Sequence, residues 1–111
     1  MVQYSPALDR AFAAVADPTR RGILEQLARR DASITDLAEH FEMSLTGIKK
    51  HVRLLEDAGL VRTQKAGRVR TCRIGPNTLS AEVAWMQKYQ SMMEQRLDHL
   101  EKLLERTKGE F

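Results

Sequence analysis

The stretch MSLTGIKKHVRLLEDAGLV, residues 43–61, decides how the rest of the chain is read. Ser44 can offer a side-chain oxygen to the free amides of a helix start. Leu45, Ile48, Val52 and Leu55 follow at helical spacing and mark a core face. Gly59 stands where a left-handed residue closes a helix. Thr46, Lys50 and Arg53 fall together on the opposite face, with Lys49 beside them. Gly47 costs a helix interior roughly 1 kcal/mol relative to alanine. Either the close approach of a partner or crowding against the preceding helix would account for it.

Upstream, Ser5-Pro6 and Asp17-Pro18 each pair a capping side chain with a proline that needs no amide donor. The first opens a helix with Leu8, Phe12 and Val15 on one face. The second opens a helix whose predicted buried face is Ile23, Leu24, Leu27 and Ala28. Ala32-Ser33-Ile34 reads as a brief extended link, and a short third helix is predicted over about 36–41. The junction between Phe41 and Ser44 is tight, as a helix-turn-helix requires.

Downstream the period changes. LVRTQK (60–65) and VRTCRI (69–74) are short runs rich in Val, Thr and Ile around AGR (66–68), which predicts a hairpin. Gly75-Pro76-Asn77 breaks the chain. A helix uninterrupted by Gly or Pro is then predicted over about 78–107. The order defines a mainly α chain with a small β-hairpin, a winged helix-turn-helix with a long C-terminal dimerisation helix. The reading is one domain over 1–111, with a core over about 5–75, a recognition helix over 44–58 and a wing over 60–74.

Charge selects the same region. The whole chain of 111 residues has 18 Lys and Arg against 15 Asp and Glu, a net charge of +3. Residues 44–75 hold eight cations and two anions, a local +6 that leaves −3 for everything else. That segregation is the footprint of a surface for duplex nucleic acid. Thr46, Lys49 and Lys50 would meet base edges and nearby phosphates from the major groove. The first amides of the helix can bind a phosphate. Arg68 at the hairpin tip, flanked by Lys65 and Arg70, would reach an adjacent groove or backbone. The plainer alternatives are a solvated helix face and arginines that guard an edge strand. His51 lies between the core and outward faces and suits either packing or contact.

Other classes are disfavoured. Cys72 is the only cysteine, so no internal disulfide forms and a reducing, cytoplasmic setting is expected. MVQYSPALDR lacks the apolar run of a signal peptide, and no stretch approaches a membrane span. No Ser/His/Asp set, phosphate-cradling loop or metal-ligand cluster is apparent, so neither an enzyme nor a cofactor is expected.

With these residues in view, the chain resembles the ArsR/SmtB family of bacterial winged-helix repressors. The matching segments are ADPTRRGILEQL (16–27), ITDLAEHFEMSLTGIKKHVRLLEDAGLV (34–61) and KAGRVRTCRI (65–74). The resemblance implies a homodimeric repressor on palindromic operator DNA, that is, double-stranded DNA read by two identical subunits. It maps the DNA-reading positions to Ser44, Thr46, Gly47, Lys49, Lys50 and His51, with Arg53 on the same face and the wing at Lys65, Arg68 and Arg70. Many members sense metals through a Cys-x-Cys pair opening the third helix. Here those positions hold Ser33 and Thr35, hydroxyls too weak for a thiophilic ion. Asp98, His99, Glu101 and Glu105 superficially suggest the family's other metal set, without its second histidine-containing group. The likeness is therefore to the subgroup without metal sites.

The last helix, roughly 43 Å long at 1.5 Å per residue, exceeds a body roughly 30 Å across. Apolar residues nevertheless persist along it: Trp85, Met86, Tyr89, Met93, Leu97, Leu100 and Leu104. A second copy is the simplest partner for them, with Leu8, Phe12 and Val15 of the first helix assisting. Two other readings stay open. One is a protein-interaction module on a winged-helix scaffold. The other is a sensor of a ligand, or of thiol chemistry at Cys72, with an atypical site.

Overall fold

Four helices open on the side chains that cap them. The computed structural model describes residues 5–109; the ends of the expected 1–111 span lie outside them. The helices are α1 (Pro6–Val15), α2 (Pro18–Arg29), α3 (Ile34–His40) and α4 (Leu45–Asp57). The amide of Leu8 donates to Ser5 Oγ at 3.4 Å and that of Arg20 to Asp17 Oδ2 at 3.1 Å. The amide of Asp36 donates to Ser33 Oγ at 3.0 Å, and Asp36 Oδ2 accepts from the Ser33 amide in return, a reciprocal capping box. Each bond satisfies a donor that a helix start leaves orphaned.

The two helices of the helix-turn-helix end in the same motif. After α4, the Leu60 amide reaches Leu55 O at 2.9 Å and the Gly59 amide reaches Glu56 O at 2.9 Å, with Gly59 at φ +74°. After α3, the Met43 amide reaches Ala38 O at 2.9 Å and the Glu42 amide reaches Glu39 O at 3.2 Å. Here the left-handed position, φ +53°, is held by Glu42, a residue whose Cβ disfavours it.

The predicted hairpin is β2 (Val61–Ala66) and β3 (Val69–Ile74), paired from Val61↔Ile74 to Ala66↔Val69. Gly67, at φ +62°, opens the two-residue turn. Ala32–Ser33, expected as a bare link, forms a further strand, β1, paired antiparallel to β3. The sheet order is β1-β3-β2. Two residues are too few for a periodic signal, and only pairing reveals them. Because Ser33 is already the cap, α3 starts at Ile34 rather than near Asp36.

Ile23, Leu37, Ile48, Leu55, Val61 and Cys72 are the fully buried centre of the core. Two expectations fail. Ala28 is exposed because it sits past the Ile23–Leu27 stripe on the flank of α2. Leu45 is 48% exposed: it shares the face of Ile48 and Val52, but as the first residue of α4 it stands at the edge of the packed region. Residues up to Leu79 form one compact unit. From Ser80 a second begins, the single helix α5 (Ser80–Gly109). At 30 residues it extends about 45 Å. None of the helices among the described residues is long and apolar enough to cross a membrane.

Candidate nucleic-acid interface

The burial of Ile48, Val52 and Leu55 fixes the rotation of α4, and so leaves Thr46, Lys49, Lys50 and Arg53 exposed. Ser44 Oγ accepts the Gly47 amide at 3.1 Å. Its hydroxyl proton remains available to an acceptor outside the helix. The other first-turn amides point the same way, an arrangement suited to anions.

Between α4, the start of α3 and the hairpin lies a groove of about 770 Å³. Lys49, Arg53, Lys65, Arg68 and Arg70 line it together with Asp36, Glu56 and Asp57, so five of the eight tract cations meet at one depression and outnumber its carboxylates. Leu45, displaced from the core, lies on its wall. On the hairpin, Lys65 pairs opposite Arg70 and Arg62 opposite Arg73. Like charges directly opposite are destabilising in an isolated sheet. A polyanion laid against the groove face would relieve that repulsion for Lys65 and Arg70, the pair on that face.

Arg70 is not a free cation. Its Nη1 donates to Thr63 Oγ1 at 3.0 Å, and Thr63 Oγ1 donates to Glu56 Oε2 at 2.8 Å. Cys72 lies buried on β3, and burial, with the Glu56 carboxylate second, pushes its thiol up to about 11. At neutral pH that side chain is a packed thiol rather than a nucleophilic thiolate.

His51 lies on the opposite flank of α4 from the groove. Its Nδ1 is 3.1 Å from Arg20 Nη1 and 3.9 Å from Asp17 Oδ2. An arginine can only donate, so in the shorter contact Nδ1 is the acceptor. The same Arg20 donates from Nε to Ala14 O at 2.7 Å and from Nη2 to Ala13 O at 3.0 Å, while Arg21 Nη1 donates to Val15 O at 2.8 Å. The ADPTRR segment thereby caps α2, closes the C-terminus of α1 and docks α4. Charge alone could not have assigned these arginines to structure, since their carbonyl acceptors leave no mark in the sequence. Gly47 also has a local explanation. A Cβ there would meet Met43 Cε at 3.1 Å and the capping Ser44 Oγ at 3.3 Å.

On α1, Leu8, Phe12 and Val15 are half-buried, Ala11 and Ala14 being the residues turned fully inward. On α5, Trp85, Met86, Tyr89, Met93, Leu97, Leu100 and Leu104 are all exposed, from 39% at Met93 to 68% at Leu104. The rings of Trp85 and Tyr89 stack with centroids 5.7 Å apart. Among the described residues, no group of three or more His, Cys, Asp or Glu side chains is arranged to hold a metal ion.

A helix-turn-helix followed by a hairpin, with cations gathered on the second helix and the wing, defines a winged-helix DNA-binding protein. The comparisons agree. The family described as "Helix-turn-helix domain" matches residues 15–64. The transcriptional repressor SdpR of Bacillus subtilis is 32% identical over 79 residues, which is 71% of this chain and 88% of that protein. The HTH-type transcriptional regulator Rv2034 of Mycobacterium tuberculosis is 37% identical over 66% of this chain and 68% of its own. Among solved structures, the ArsR family transcriptional regulator RHA00566 is 45% identical, with a TM-score of 0.75 over 85% of this chain and 97% of that one. The chain belongs to the ArsR family of DNA-binding, winged helix-turn-helix transcriptional regulators.

Proposed function

We propose that this chain is a homodimeric repressor that binds palindromic operator DNA and takes no signal from metal ions. The observation that carries the reading is the convergence of Lys49, Arg53, Lys65, Arg68 and Arg70 on one groove beside Thr46 and Lys50. In this reading Thr46, Lys49 and Lys50 enter the major groove from the N-terminal half of α4. Ser44 and the first-turn amides hold a phosphate, and Lys65 and Arg68 carry the wing onto the flanking duplex. Gly47 keeps the cap clear, His51 fixes α4 on α2, and Arg70 steadies the wing.

Residues up to Leu79 serve as the DNA-binding unit and α5 as the dimerisation element. The exposed apolar run on α5 supports a second copy as its partner. Each such side chain contributes about 1.5–3 kcal/mol when buried, before the cost of association. Two reading helices about one turn of DNA apart, roughly 34 Å, then match an inverted repeat. The repressor role is supported by the relative named for it, SdpR. Metal independence is supported by Ser33, whose oxygen is spent on capping α3 where metal-sensing members carry a thiolate.

Selection of bound duplexes from a random pool tests the whole reading. The expected result is enrichment of an inverted repeat with half-sites about ten base pairs apart. Recovery of duplexes no different from the input pool would overturn it.

A further inference from the structure

We propose that Glu56 and Thr63 form a latch that sets the pose of the wing against the reading helix. Glu56 is then a positioning residue for DNA binding, although it is an anion on a cationic face. The inference rests on the DNA-binding reading above.

Three elements meet through one hydroxyl. Glu56 lies in the last turn of α4, Thr63 on β2 and Arg70 on β3. Thr63 Oγ1 has one proton and two lone pairs. It gives the proton to Glu56 Oε2 at 2.8 Å and takes one from Arg70 Nη1 at 3.0 Å. A charge at each end strengthens both bonds. Among the described residues the close contacts between acidic and basic side chains lie elsewhere, at His51–Asp17 and Asp98–Lys102, so Glu56 and Arg70 are joined through Thr63 rather than directly.

The position of the link gives it leverage. Val61 and Cys72 are buried and Thr63 is half-buried, but every residue from Gln64 to Arg70 is exposed. Burial on β2 therefore ends at Thr63, and the hairpin tip beyond it has no buried side chain to hold it. Lys65 and Arg68, the cations offered to the duplex, belong to that unsupported part. Tying β2 and β3 to α4 at the point where burial stops fixes the distance between these cations and Lys49, Lys50 and Thr46.

The sign of one substitution separates the latch from plain electrostatics. Removing an anion from a surface that binds a polyanion ordinarily raises affinity. The latch predicts a fall. The test measures binding of a duplex enriched from the random pool by the wild-type protein, with thermal unfolding of each variant alongside. Glu56→Ala and Thr63→Val should each weaken binding about threefold to tenfold, the scale of an exposed charge-assisted hydrogen bond. Thr63→Ser, which keeps the hydroxyl, should stay within about twofold at an unchanged unfolding midpoint. In a double-mutant cycle, Thr63→Val should blunt the effect of Arg68→Ala and remain additive with Lys50→Ala. If the wild type binds while Glu56→Ala binds as tightly or more tightly, or if Thr63→Val is additive with Arg68→Ala, the latch is wrong and DNA binding stands. A wild type that retains no duplex ends both.

Discussion

Arg20 Nη1 lies 3.1 Å from His51 Nδ1, joining the first turn of α2 to the middle of the reading helix. The same guanidinium closes two carbonyls at the end of α1. One side chain thus bonds to three helices, and its contact with His51 adds to the orientation that the burial of Ile48, Val52 and Leu55 gives α4.

Arg20→Ala removes hydrogen bonds from a charged, partly buried group and should cost about 2 kcal/mol, read by urea unfolding. Asp17 at the same junction titrates. The Arg20 amide, then the Arg20 charge, hold its carboxyl below the ordinary value of 3.8. A lowered pKa means stability that is present above the unfolded value and lost as pH falls through the folded one. Asp17→Ala should therefore lower the unfolding midpoint at pH 7, and the gap to wild type should narrow as the pH drops below 3.8. A gap unchanged at pH 3 would show that the carboxylate charge contributes nothing.

Glu42 occupies a left-handed position at φ +53° between α3 and α4. Glycine carries no Cβ penalty there, though it loses more entropy on folding. Glu42→Gly should stabilise the protein by about 0.5–1 kcal/mol, measured by denaturant unfolding, with duplex affinity unchanged. Destabilisation would mean that the Glu42 side chain makes a contribution larger than the strain it bears.

Lys50→Ala and Arg68→Ala should weaken duplex binding while leaving the unfolding midpoint in place, because both side chains are exposed. Where the lost contact is a phosphate, the slope of log affinity against log salt should fall by about one. Gel-shift titrations at several salt concentrations give both quantities. Unaltered binding for both variants would move the interface elsewhere.

Leu97 and Leu104 are 60% and 68% exposed in the isolated chain. Burying a carboxylate in an apolar interface is prohibitive, so Leu97→Glu and Leu104→Glu should shift a dimer to monomer at micromolar concentration in sedimentation velocity. Operator affinity should fall with it. Variants that stay dimeric would show that these leucines face solvent in the assembly.

Cys72 is buried and its thiol is pushed up to about 11, against an ordinary 9.0. A raised folded pKa contributes stability that is complete below the unfolded value and lost as pH rises through the folded one, here between about 9 and about 11. A thiol reagent at pH 8 should label the native protein far more slowly than the unfolded one. Peroxide treatment should leave duplex affinity unchanged. Fast labelling of folded protein would favour the reading of Cys72 as a sensor.

The sequence by itself determined the element order, the caps at Ser5, Asp17 and Ser44, the left-handed stop at Gly59 and the concentration of charge between residues 44 and 75. These are local properties: a capping oxygen, a missing Cβ and a helical period act over a few residues and can be read along a line. Tertiary structure alone decided the rest. It paired Ala32–Ser33 with β3, left Leu45 at the edge of the core on the groove wall, and forced Glu42 into a glycine's conformation. It also joined Arg20 to His51 and Glu56 to Arg70 through Thr63, across separations no periodicity spans. Hydrogen bonds between distant residues depend on how buried faces orient whole elements, and that orientation exists only once the core has closed.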